Sequence, residues 1–333
     1  MAKRTLNIEF RTNDSPPLNP QFPIGQYDHP FTLNPTIGCF FGCKYCYSPL
    51  FTAKVKNQKR KKFFENVAVQ FNMAERLDKH LENLKEIPQH LKRVQINESN
   101  EYYLPQVINE LKKQYNRDVM LEILKVFEKH WDNGNKWMLH ILSKSHLILN
   151  HLDQLKNMKH MVQIEISISS IDEKLIRDLE FYTPTIKKRM ETINKLATND
   201  IFVRTMAMPF WGDYKEVEAI KKLSFNNGAR GFKNKRLNYF DWQQLQALDY
   251  NDLINDKVSR VQGRPDNMFE DLNEKSGETL LFKGKPKIVN VSFPHVRKWS
   301  TPTILDEKLS LQDQKIIDCG YSQLNKVKWA YIK

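Results

Sequence analysis

Three of the four cysteines in this chain of 333 residues, Cys39, Cys43 and Cys46, lie within one stretch of eight residues. Three thiolates at this spacing, on a loop that leaves a predicted strand, can bind three corners of an iron–sulfur cube. The fourth iron then has no protein ligand and stays open to a cofactor or substrate, as a catalytic zinc keeps an open position. Gly38 and Gly42 allow the tight backbone that such a loop needs.

Cysteines in proteins also form disulfides and bind zinc. A disulfide framework is disfavoured by the odd count, the short spacing and the lack of any sign of export. A zinc site needs a fourth ligand, usually from paired Cys or His residues. Here that ligand would be Cys319 or His29, and neither has a usual zinc spacing. The pattern favours the cube and leaves zinc as the alternative.

The elements that must position this loop follow from hydrophobic periodicity. Short apolar runs predict strands, and runs with three- and four-residue spacing predict helices between them. The predicted strands are 31–37, 92–97, 137–143, 161–169, 200–208 and 229–237, and the predicted helices are 72–86, 105–131, 146–156, 173–197 and 214–226. Six strand–helix units in series predict an α/β fold with a parallel sheet, a (β/α)6 partial TIM barrel. Active-site residues gather at the C-terminal ends of such strands.

The sequence also predicts the limits of the domains and the ends of two helices. Residues 1–29 are rich in proline and predict an extended N-terminal arm, residues 30–240 the barrel, and residues 241–333 a basic C-terminal extension packed on the barrel. Asn72 is predicted to cap the helix 72–86, with Glu75 in the reciprocal position. Asn226-Asn227-Gly228 is predicted to end the helix 214–226.

The charge balance points to a polyanionic partner. The chain has 52 Lys and Arg against 39 Asp and Glu, a formal net charge of +13. A surplus of this size favours nucleic acid, although surface lysines can serve solubility alone. The charge is concentrated in three basic stretches, some interleaved with aromatic residues as a phosphate backbone with stacked bases would require: 54–62, 230–236 and 283–298.

Composition is otherwise typical of a soluble globular protein, with 40% hydrophobic and 27% charged residues. No apolar run in the sequence reaches the length that spans a bilayer. The N-terminus has charged residues but no apolar stretch behind them, so no secretory signal is predicted. We expect a cytoplasmic protein.

The motif around the cysteines resembles that of the radical S-adenosylmethionine (SAM) superfamily, in its three-then-two spacing and in the aromatic Tyr45 before the last cysteine. Further segments resemble the spore photoproduct lyase-like branch, often labelled "DNA repair photolyase", over residues 30–240. They include Asn34-Pro35 before Gly38-Cys39, Cys46-Tyr47, Phe64-Glu65-Asn66, Leu142-Ser143-Lys144-Ser145, Ser167-Ile168-Ser169 with Leu179-Glu180 and Arg189, and Met206-Ala207-Met208-Pro209.

The resemblance implies the cofactors and their ligands. Cys39, Cys43 and Cys46 would ligate a [4Fe–4S] cluster that cleaves SAM to methionine and a 5′-deoxyadenosyl radical. By the same resemblance Tyr45 borders the adenine, Lys144 and Ser167 contact SAM, and Arg189 pairs with its carboxylate. On their residue types alone, Lys144 and Arg189 could be solvated charges and Ser167 a strand residue. A reducing partner such as flavodoxin or ferredoxin is also implied.

The chain departs from the lyase after the second predicted strand. The lyase has a cysteine near this point that returns hydrogen to the product radical, and residues 96–105 contain none. Tyr47 matches a lyase tyrosine near the reacting centre and could relay hydrogen or simply pack beside the cluster. Glu98 or Glu101 could receive the SAM amino group, serve the substrate, or be solvated loop acids.

Three functions therefore stay open at this point. The preferred one is a radical SAM enzyme, of a lyase or DNA-repair-like type, that acts on a nucleic acid or a nucleotide-like substrate. A second keeps the radical chemistry and has a peptide or small metabolite as substrate. A third is a metal-containing protein that binds nucleic acid without catalysis.

Overall fold

The computed structural model describes residues 4–20, 31–51, 60–87, 92–211 and 214–234, together with the residue pairs 288–289 and 299–300. Its strands divide into a large sheet, a small sheet near the N-terminus and one short hairpin-like pair. They are β1 (Asn7–Arg11), β2 (Asn19–Pro20), β3 (Phe31–Leu33), β4 (Thr36–Ile37), β5 (Asn66–Gln70), β6 (Arg93–Ile96), β7 (Met138–Ser143), β8 (Val162–Ser167), β9 (Phe202–Ala207), β10 (Gly231–Asn234), β11 (Ile288–Val289) and β12 (Trp299–Ser300).

The large sheet has the strand order β10-β9-β8-β7-β6-β3-β2. The strands β3, β6, β7, β8, β9 and β10 are parallel, and the two-residue β2 is antiparallel to β3. These six parallel strands match the six predicted ones, so the α/β fold with a parallel sheet is confirmed. Within the described residues β10 does not pair with β2 or β3, and the sheet is an open part-barrel.

Nine α-helices and one 3₁₀ helix lie among the described residues. They are α1 (Ser48–Phe51), α2 (Arg60–Glu65), α3 (Met73–Asn83), α4 (Pro105–Tyr115), α5 (Val119–Asp132), the 3₁₀ helix His146–His151, α6 (Leu152–Asn157), α7 (Glu173–Leu179), α8 (Ile186–Ala197) and α9 (Tyr214–Asn226). The single helix predicted over 105–131 is wrong, because Asn116 adopts a left-handed conformation with φ 49° and ends α4. The helix predicted over 173–197 is likewise broken, by residues 180–185.

The two faces of the large sheet differ in chemistry. On one face Ile96, Ile141, Ile164 and Val203 are aligned by the strand register and join the hydrophobic core. On the other face the register aligns buried polar residues instead: Gln95, His140, Gln163, Glu165, Arg204 and Lys233. Buried polar groups persist only where they find partners. Accordingly, Glu165 pairs with Arg204 and lies 3.7 Å from the Lys233 ammonium.

The N-terminal arm contributes a strand that was not predicted. Residues Asn7–Arg11 pair in parallel with Asn66–Gln70, and β4 pairs with β5 on its other side. Part of the arm predicted over 1–29 therefore belongs to the small sheet β1-β5-β4. Because β4 leads directly into the cysteine loop, this small sheet supports the start of that loop.

Two predicted helix ends have different outcomes. Asn72 precedes α3 but makes no side-chain cap, so that prediction is wrong. Its amide instead binds the N-terminal arm, accepting from the Asn13 N–H at 3.3 Å and donating to the Asn13 carbonyl at 3.0 Å. The predicted end of α9 is confirmed, since the helix ends at Asn226 and Gly228 has φ +94°.

Several predicted features lie outside the described residues. They are most of the extension 241–333, Cys319, His29, residues 54–59 of the first basic stretch, residues 235–236 of the second, and the stretch 283–298 apart from residues 288–289. The domain limits at 29 and 240 stay predictions. In the described part of the chain, no helix combines the length and the apolar character needed to cross a membrane.

Candidate active site at the carboxyl edge of the sheet

The cysteine loop runs from β4 to α1 and is held by backbone hydrogen bonds to three other segments. The Gly38 N–H donates to the Asn100 side-chain oxygen at 3.2 Å, and the Cys39 N–H donates to the Phe63 carbonyl at 3.2 Å. The Lys44 N–H donates to the Leu179 carbonyl at 2.8 Å. The loop is therefore fixed to the carboxyl edge of the sheet, where the sequence predicts the active site.

Gly38 is required by both conformation and space. Its φ is +94°, and a Cβ placed there would lie 2.0 Å from the Asn66 carbonyl oxygen. Gly42 also has a positive φ, +64°, but the nearest atoms to its Cβ position are side-chain atoms of Arg4 and Tyr182 at 3.6 Å. Of these two loop glycines, Gly38 is the one that combines the left-handed backbone with a clash against the backbone of another segment.

Tyr45, predicted to border the adenine, is buried beneath the loop. Its hydroxyl is 2.7 Å from the Ser169 hydroxyl and donates to the Glu180 carboxylate. Glu180 also accepts from the Arg189 guanidinium, and both side chains are wholly inaccessible to solvent. The ring of Trp211 lies 5.4 Å from the Tyr45 ring. Tyr45 therefore connects the cysteine loop to a buried ion pair.

Arg189, predicted to pair with the SAM carboxylate, is already fully engaged by protein. Its Nε donates to the Pro184 carbonyl at 3.1 Å and its Nη1 to the Ser167 carbonyl at 3.0 Å, while its Nη2 reaches Glu180 and Thr183. These bonds set the position of the end of β8. In this structure Arg189 holds the Glu180 side chain and the Ser167 carbonyl. Its contact with SAM stays a prediction.

Lys144 and Ser167, both predicted to contact SAM, lie together. The Lys144 ammonium donates to the Ser167 hydroxyl at 2.7 Å and lies 5.7 Å from the centre of the Tyr45 ring. Burial lowers the pKa of Lys144, and the charges of Cys43 and Arg189 act on it in opposite directions. A cation thus stands close to the thiols of the cysteine loop.

Glu101 is the buried carboxylate of this edge. It accepts from the Ser143 hydroxyl at 2.8 Å, from the Lys144 N–H at 2.9 Å and from the Tyr103 N–H at 3.0 Å. Burial raises its pKa despite these bonds. Glu98 and Glu101 were the two acids predicted to bind SAM or serve the substrate. Glu101 is buried, whereas Glu98 is half-exposed.

The two predicted catalytic residues, Tyr47 and Glu98, are neighbours. The Tyr47 hydroxyl donates to the Glu98 carbonyl at 3.0 Å. Between β6 and this contact lies Asn97, which has φ +64° and a side chain that is 1% exposed with no hydrogen-bond partner. Asparagine is one of the few residues that adopt this conformation readily. The sequence marked Tyr47 and Glu98 as catalytic candidates, but it gave no role to Asn97.

The three cysteines have the chemistry that an iron–sulfur cluster needs. None of them forms a disulfide within the described part of the chain; Cys43 is buried, and Cys39 and Cys46 are half-buried. Burial is the largest cause that raises the pKa of Cys39 and Cys43, and the neighbouring cysteines raise that of Cys39 further. Thiolates held this close need a positively charged group to stabilise them. An iron–sulfur cluster supplies one.

Single-ion coordination requires side chains that converge on one point. Among the residues that the structure describes, no group of three or more His, Cys, Asp or Glu side chains does so. The corners of a cube bind one thiolate per iron, so its ligands stand apart around one loop. Cys39, Cys43 and Cys46 are the residues that would hold such a cluster.

A known family model matches the part of the chain that carries the cysteine loop. The family model described as "Radical SAM superfamily" matches residues 33–223, more than half of the chain. This protein belongs to the radical SAM superfamily, whose members are enzymes that use SAM and an iron–sulfur cluster. The match begins at Leu33, just before the cysteine loop, and ends in α9.

Two individual proteins are also similar to this chain. "Uncharacterized protein MJ0683" of Methanocaldococcus jannaschii is 26% identical over 206 residues, which are 61% of this chain and 68% of the relative. "Uncharacterized protein ORF301" of Acidianus two-tailed virus is 25% identical over 203 residues, 58% of this chain and 60% of that protein. Neither name states an activity.

Solved structures of spore photoproduct lyase share the fold. The lyase complexed with dinucleoside spore photoproduct has a TM-score of 0.51 and 11% sequence identity, over 94% of this chain and 79% of that one. A mutant lyase with bound AdoMet and the same dinucleoside has a TM-score of 0.51 and 12% identity, over 90% and 77%. The branch predicted from the sequence fits this likeness, which at such identity concerns the fold.

Sequence reasoning missed part of the site. Glu180 and Ser169 were noticed only within longer motifs, although together they hold the Tyr45 hydroxyl. The available signal was an acid between the apolar Leu179 and Phe181, at the end of a helix. A lone acid in such a setting is buried only when it is paired, and Arg189 is that partner.

Proposed function

We propose that this protein binds a [4Fe–4S] cluster through Cys39, Cys43 and Cys46 and cleaves SAM to generate a 5′-deoxyadenosyl radical. When bound, the cluster supplies the electron that breaks the carbon–sulfur bond of SAM. The observation that carries the proposal is the loop of three cysteine thiols beside a buried polar edge in a radical SAM domain.

The residues of this edge have distinct tasks in the proposal. Lys144 and Ser167 bind the polar end of SAM, with Lys144 oriented by its contact with Ser167. Tyr45 forms the apolar wall against which the adenine packs, and the Glu180–Arg189 pair fixes its ring. Burial of Cys43 and Tyr45 excludes water, which protects a radical from side reactions.

The test is anaerobic reconstitution with iron and sulfide, followed by dithionite and SAM, with 5′-deoxyadenosine measured by chromatography. The proposal expects this product from the wild type and its loss in Cys43→Ala. Cys319→Ala is the matched control and retains the product, since it removes a cysteine outside the loop. A wild type that holds iron and sulfide but never cleaves SAM would overturn the proposal.

For the substrate class we propose nucleic acid or a nucleotide-like molecule. The support is the net charge of +13 and the basic stretches at 54–62, 230–236 and 283–298. The likeness to a lyase complexed with dinucleoside spore photoproduct adds to it, although the chain lacks the lyase cysteine near residues 96–105. Among the described residues of the second stretch, 230–234, Lys233 is buried against Glu165 and Arg230 is half-exposed.

Charge reversal tests this substrate class. Lys59→Glu/Lys62→Glu should weaken binding to DNA and RNA oligonucleotides and lower the salt slope by about 2, roughly 0.9 for each phosphate that is no longer neutralised. Lys112→Glu/Lys113→Glu, on the exposed end of α4, removes the same charge and should leave the slope unchanged. Equal slopes in all three proteins would redirect the search to peptides and small metabolites.

A further inference from the structure

An exposed aromatic pair lies directly on the cysteine loop. Within the described part of the chain, three large hydrophobic side chains are exposed: Tyr115 at 42%, Phe181 at 42% and Tyr182 at 47%. Phe181 and Tyr182 are adjacent, with ring centroids 4.8 Å apart. Exposed apolar groups that cluster in this way mark interaction sites more often than isolated ones do.

The pair is joined to the loop at a defined point. The ring of Tyr182 lies 3.6 Å from the Cβ position of Gly42, the residue that precedes Cys43. Two residues before Phe181, the Leu179 carbonyl accepts from the Lys44 N–H at 2.8 Å, on the other side of Cys43. The aromatic pair is thus an exposed surface that contacts the loop on both sides of Cys43.

Cations surround this pair. The Arg4 guanidinium lies 4.2 Å from the centre of the Tyr182 ring and donates to the Phe40 carbonyl at 2.9 Å. Arg177 donates to the Phe181 carbonyl at 3.3 Å and to the Thr183 carbonyl at 2.9 Å, which fixes the backbone below the rings. Lys44 is exposed. We name the five residues Arg4, Lys44, Arg177, Phe181 and Tyr182 the aromatic patch.

We infer that the aromatic patch docks a small acidic electron-transfer protein, such as a flavodoxin, that reduces the cluster. The inference rests on the proposed function. One electron leaves the reduced partner, which is oxidised by one equivalent, and the cluster is reduced by one; no proton or group is transferred.

Both the size and the charge of the patch fit this occupant. Electron-transfer complexes are transient and have small interfaces, below about 1,200 Å² in total. A few exposed rings among cations suit such an interface, since opposite charge accelerates the encounter. A redox partner must also approach the metal centre, and contact through Gly42 brings this patch to the ligand loop. Stacked nucleic acid bases are the rival occupant.

The experiment uses two variants that remove the same ring and differ only in charge, Phe181→Asp and Phe181→Arg. Phe181 is chosen because Tyr182, not Phe181, contacts Gly42. The probe is a bacterial flavodoxin, whose affinity for the reconstituted protein is measured by titration calorimetry at two salt concentrations. Phe181→Asp should bind at least 10-fold more weakly than Phe181→Arg, and the difference should shrink at high salt. Tyr115→Asp is the control at another exposed ring.

Activity supplies the second readout. With reduced flavodoxin as the donor, Phe181→Asp should form 5′-deoxyadenosine at least 10-fold more slowly than the wild type, and with dithionite at the same rate. Equal flavodoxin affinities in the two Phe181 variants overturn the inference. The inference is also overturned if a Phe181 variant loses oligonucleotide binding and keeps flavodoxin binding. A wild type inactive with dithionite overturns the proposed function, while the calorimetry still decides the patch.

Discussion

Glu180 and Arg189 form an ion pair whose two side chains are entirely buried, and the Tyr45 hydroxyl donates to the same carboxylate. Burial raises the pKa of Glu180, while the Arg189 charge lowers it. A buried charge that loses its partner costs about 3–5 kcal/mol, much more than the intact pair contributes. This arrangement therefore binds the cysteine loop, α7 and α8 into one unit.

The ion pair gives the first prediction. Glu180→Gln leaves the Arg189 charge unpaired, and the free energy of unfolding should fall by about 3–5 kcal/mol. Glu180→Gln/Arg189→Met should be more stable than Glu180→Gln alone, because it removes both charges. Urea denaturation of the apoprotein measures both values.

An exposed pair serves as the control for that experiment. Lys159 lies 2.6 Å from Asp200, with side chains 42% and 56% exposed. Lys159→Ala should change stability by less than about 1 kcal/mol, as solvent-exposed pairs do. If Glu180→Gln cost no more than Lys159→Ala, the pair would have no role in holding the loop.

The two loop glycines give the second prediction. Gly38→Ala places a Cβ 2.0 Å from the Asn66 carbonyl oxygen, whereas the nearest atoms to a Gly42→Ala Cβ are side-chain atoms at 3.6 Å. Gly42→Ala should cost about 1–2 kcal/mol for the left-handed backbone alone. Gly38→Ala should cost at least about 2 kcal/mol more, because the backbone must also shift. Thermal unfolding of the two variants compares them, and equal melting temperatures would contradict the assigned difference.

Lys144 gives the third prediction. Lys144→Ala should weaken SAM binding by about 10- to 100-fold, the effect of losing one charge-assisted hydrogen bond in a buried setting. Lys144→Arg should recover part of the affinity for SAM. Lys136 is an exposed lysine near Trp131, and Lys136→Ala should leave the affinity for SAM unchanged. Equilibrium binding of SAM to the reconstituted proteins is the measurement. Unchanged affinity in Lys144→Ala would remove this residue from the SAM site.

The fourth prediction concerns pH. Burial alone would raise the pKa of Asp118, but its contacts with His151, the Leu121 N–H and Tyr102 overcome burial and hold that pKa below its usual value. A carboxylate of this kind stabilises the fold above its unfolded pKa of about 3.9, and the contribution is lost as the pH falls through the folded pKa.

Asp118→Asn isolates this contribution. Asparagine still caps α5, where Asp118 accepts from the Leu121 N–H at 3.1 Å, but carries no charge. At pH 7 the wild type should be more stable than the variant by about 1 kcal/mol, allowing for the partial exposure of Asp118. The difference should vanish as the pH falls below about 4. A difference that is the same at pH 7 and pH 3 would contradict the expected titration.

The parallel sheet could be predicted because β6 to β9 follow apolar runs flanked by helical patterns. The break at Asn116 could not, since the apolar spacing of α4 resumes in α5 and only the three residues 116–118 separate the two helices. The strand Asn7–Arg11 had a signal, the alternation of Ile8 and Phe10 with polar residues, but the nearby prolines favoured an extended arm.

The site was predictable where one short segment carries it and not where distant segments meet. The cysteines and Tyr47 share one loop, whereas the Tyr45–Glu180 contact joins residues 135 positions apart. Such a contact depends on tertiary packing, which periodicity does not report. For the same reason the burial of Lys233 within a basic stretch could not be inferred from its neighbours.

The small sheet also determines when the cysteine loop takes its final form during folding. Its strand β1 pairs with β5 across 59 residues of sequence, and the loop lies between the two. Parallel pairs of this separation close a long stretch of chain and form slowly compared with local helices such as α4 and α5. Residues Asn7–Arg11 leave the ribosome first and wait for residues Asn66–Gln70. Because β4 pairs with β5 and Gly38 packs against the Asn66 carbonyl, the cysteine loop can take its final form only after β5 has been synthesised.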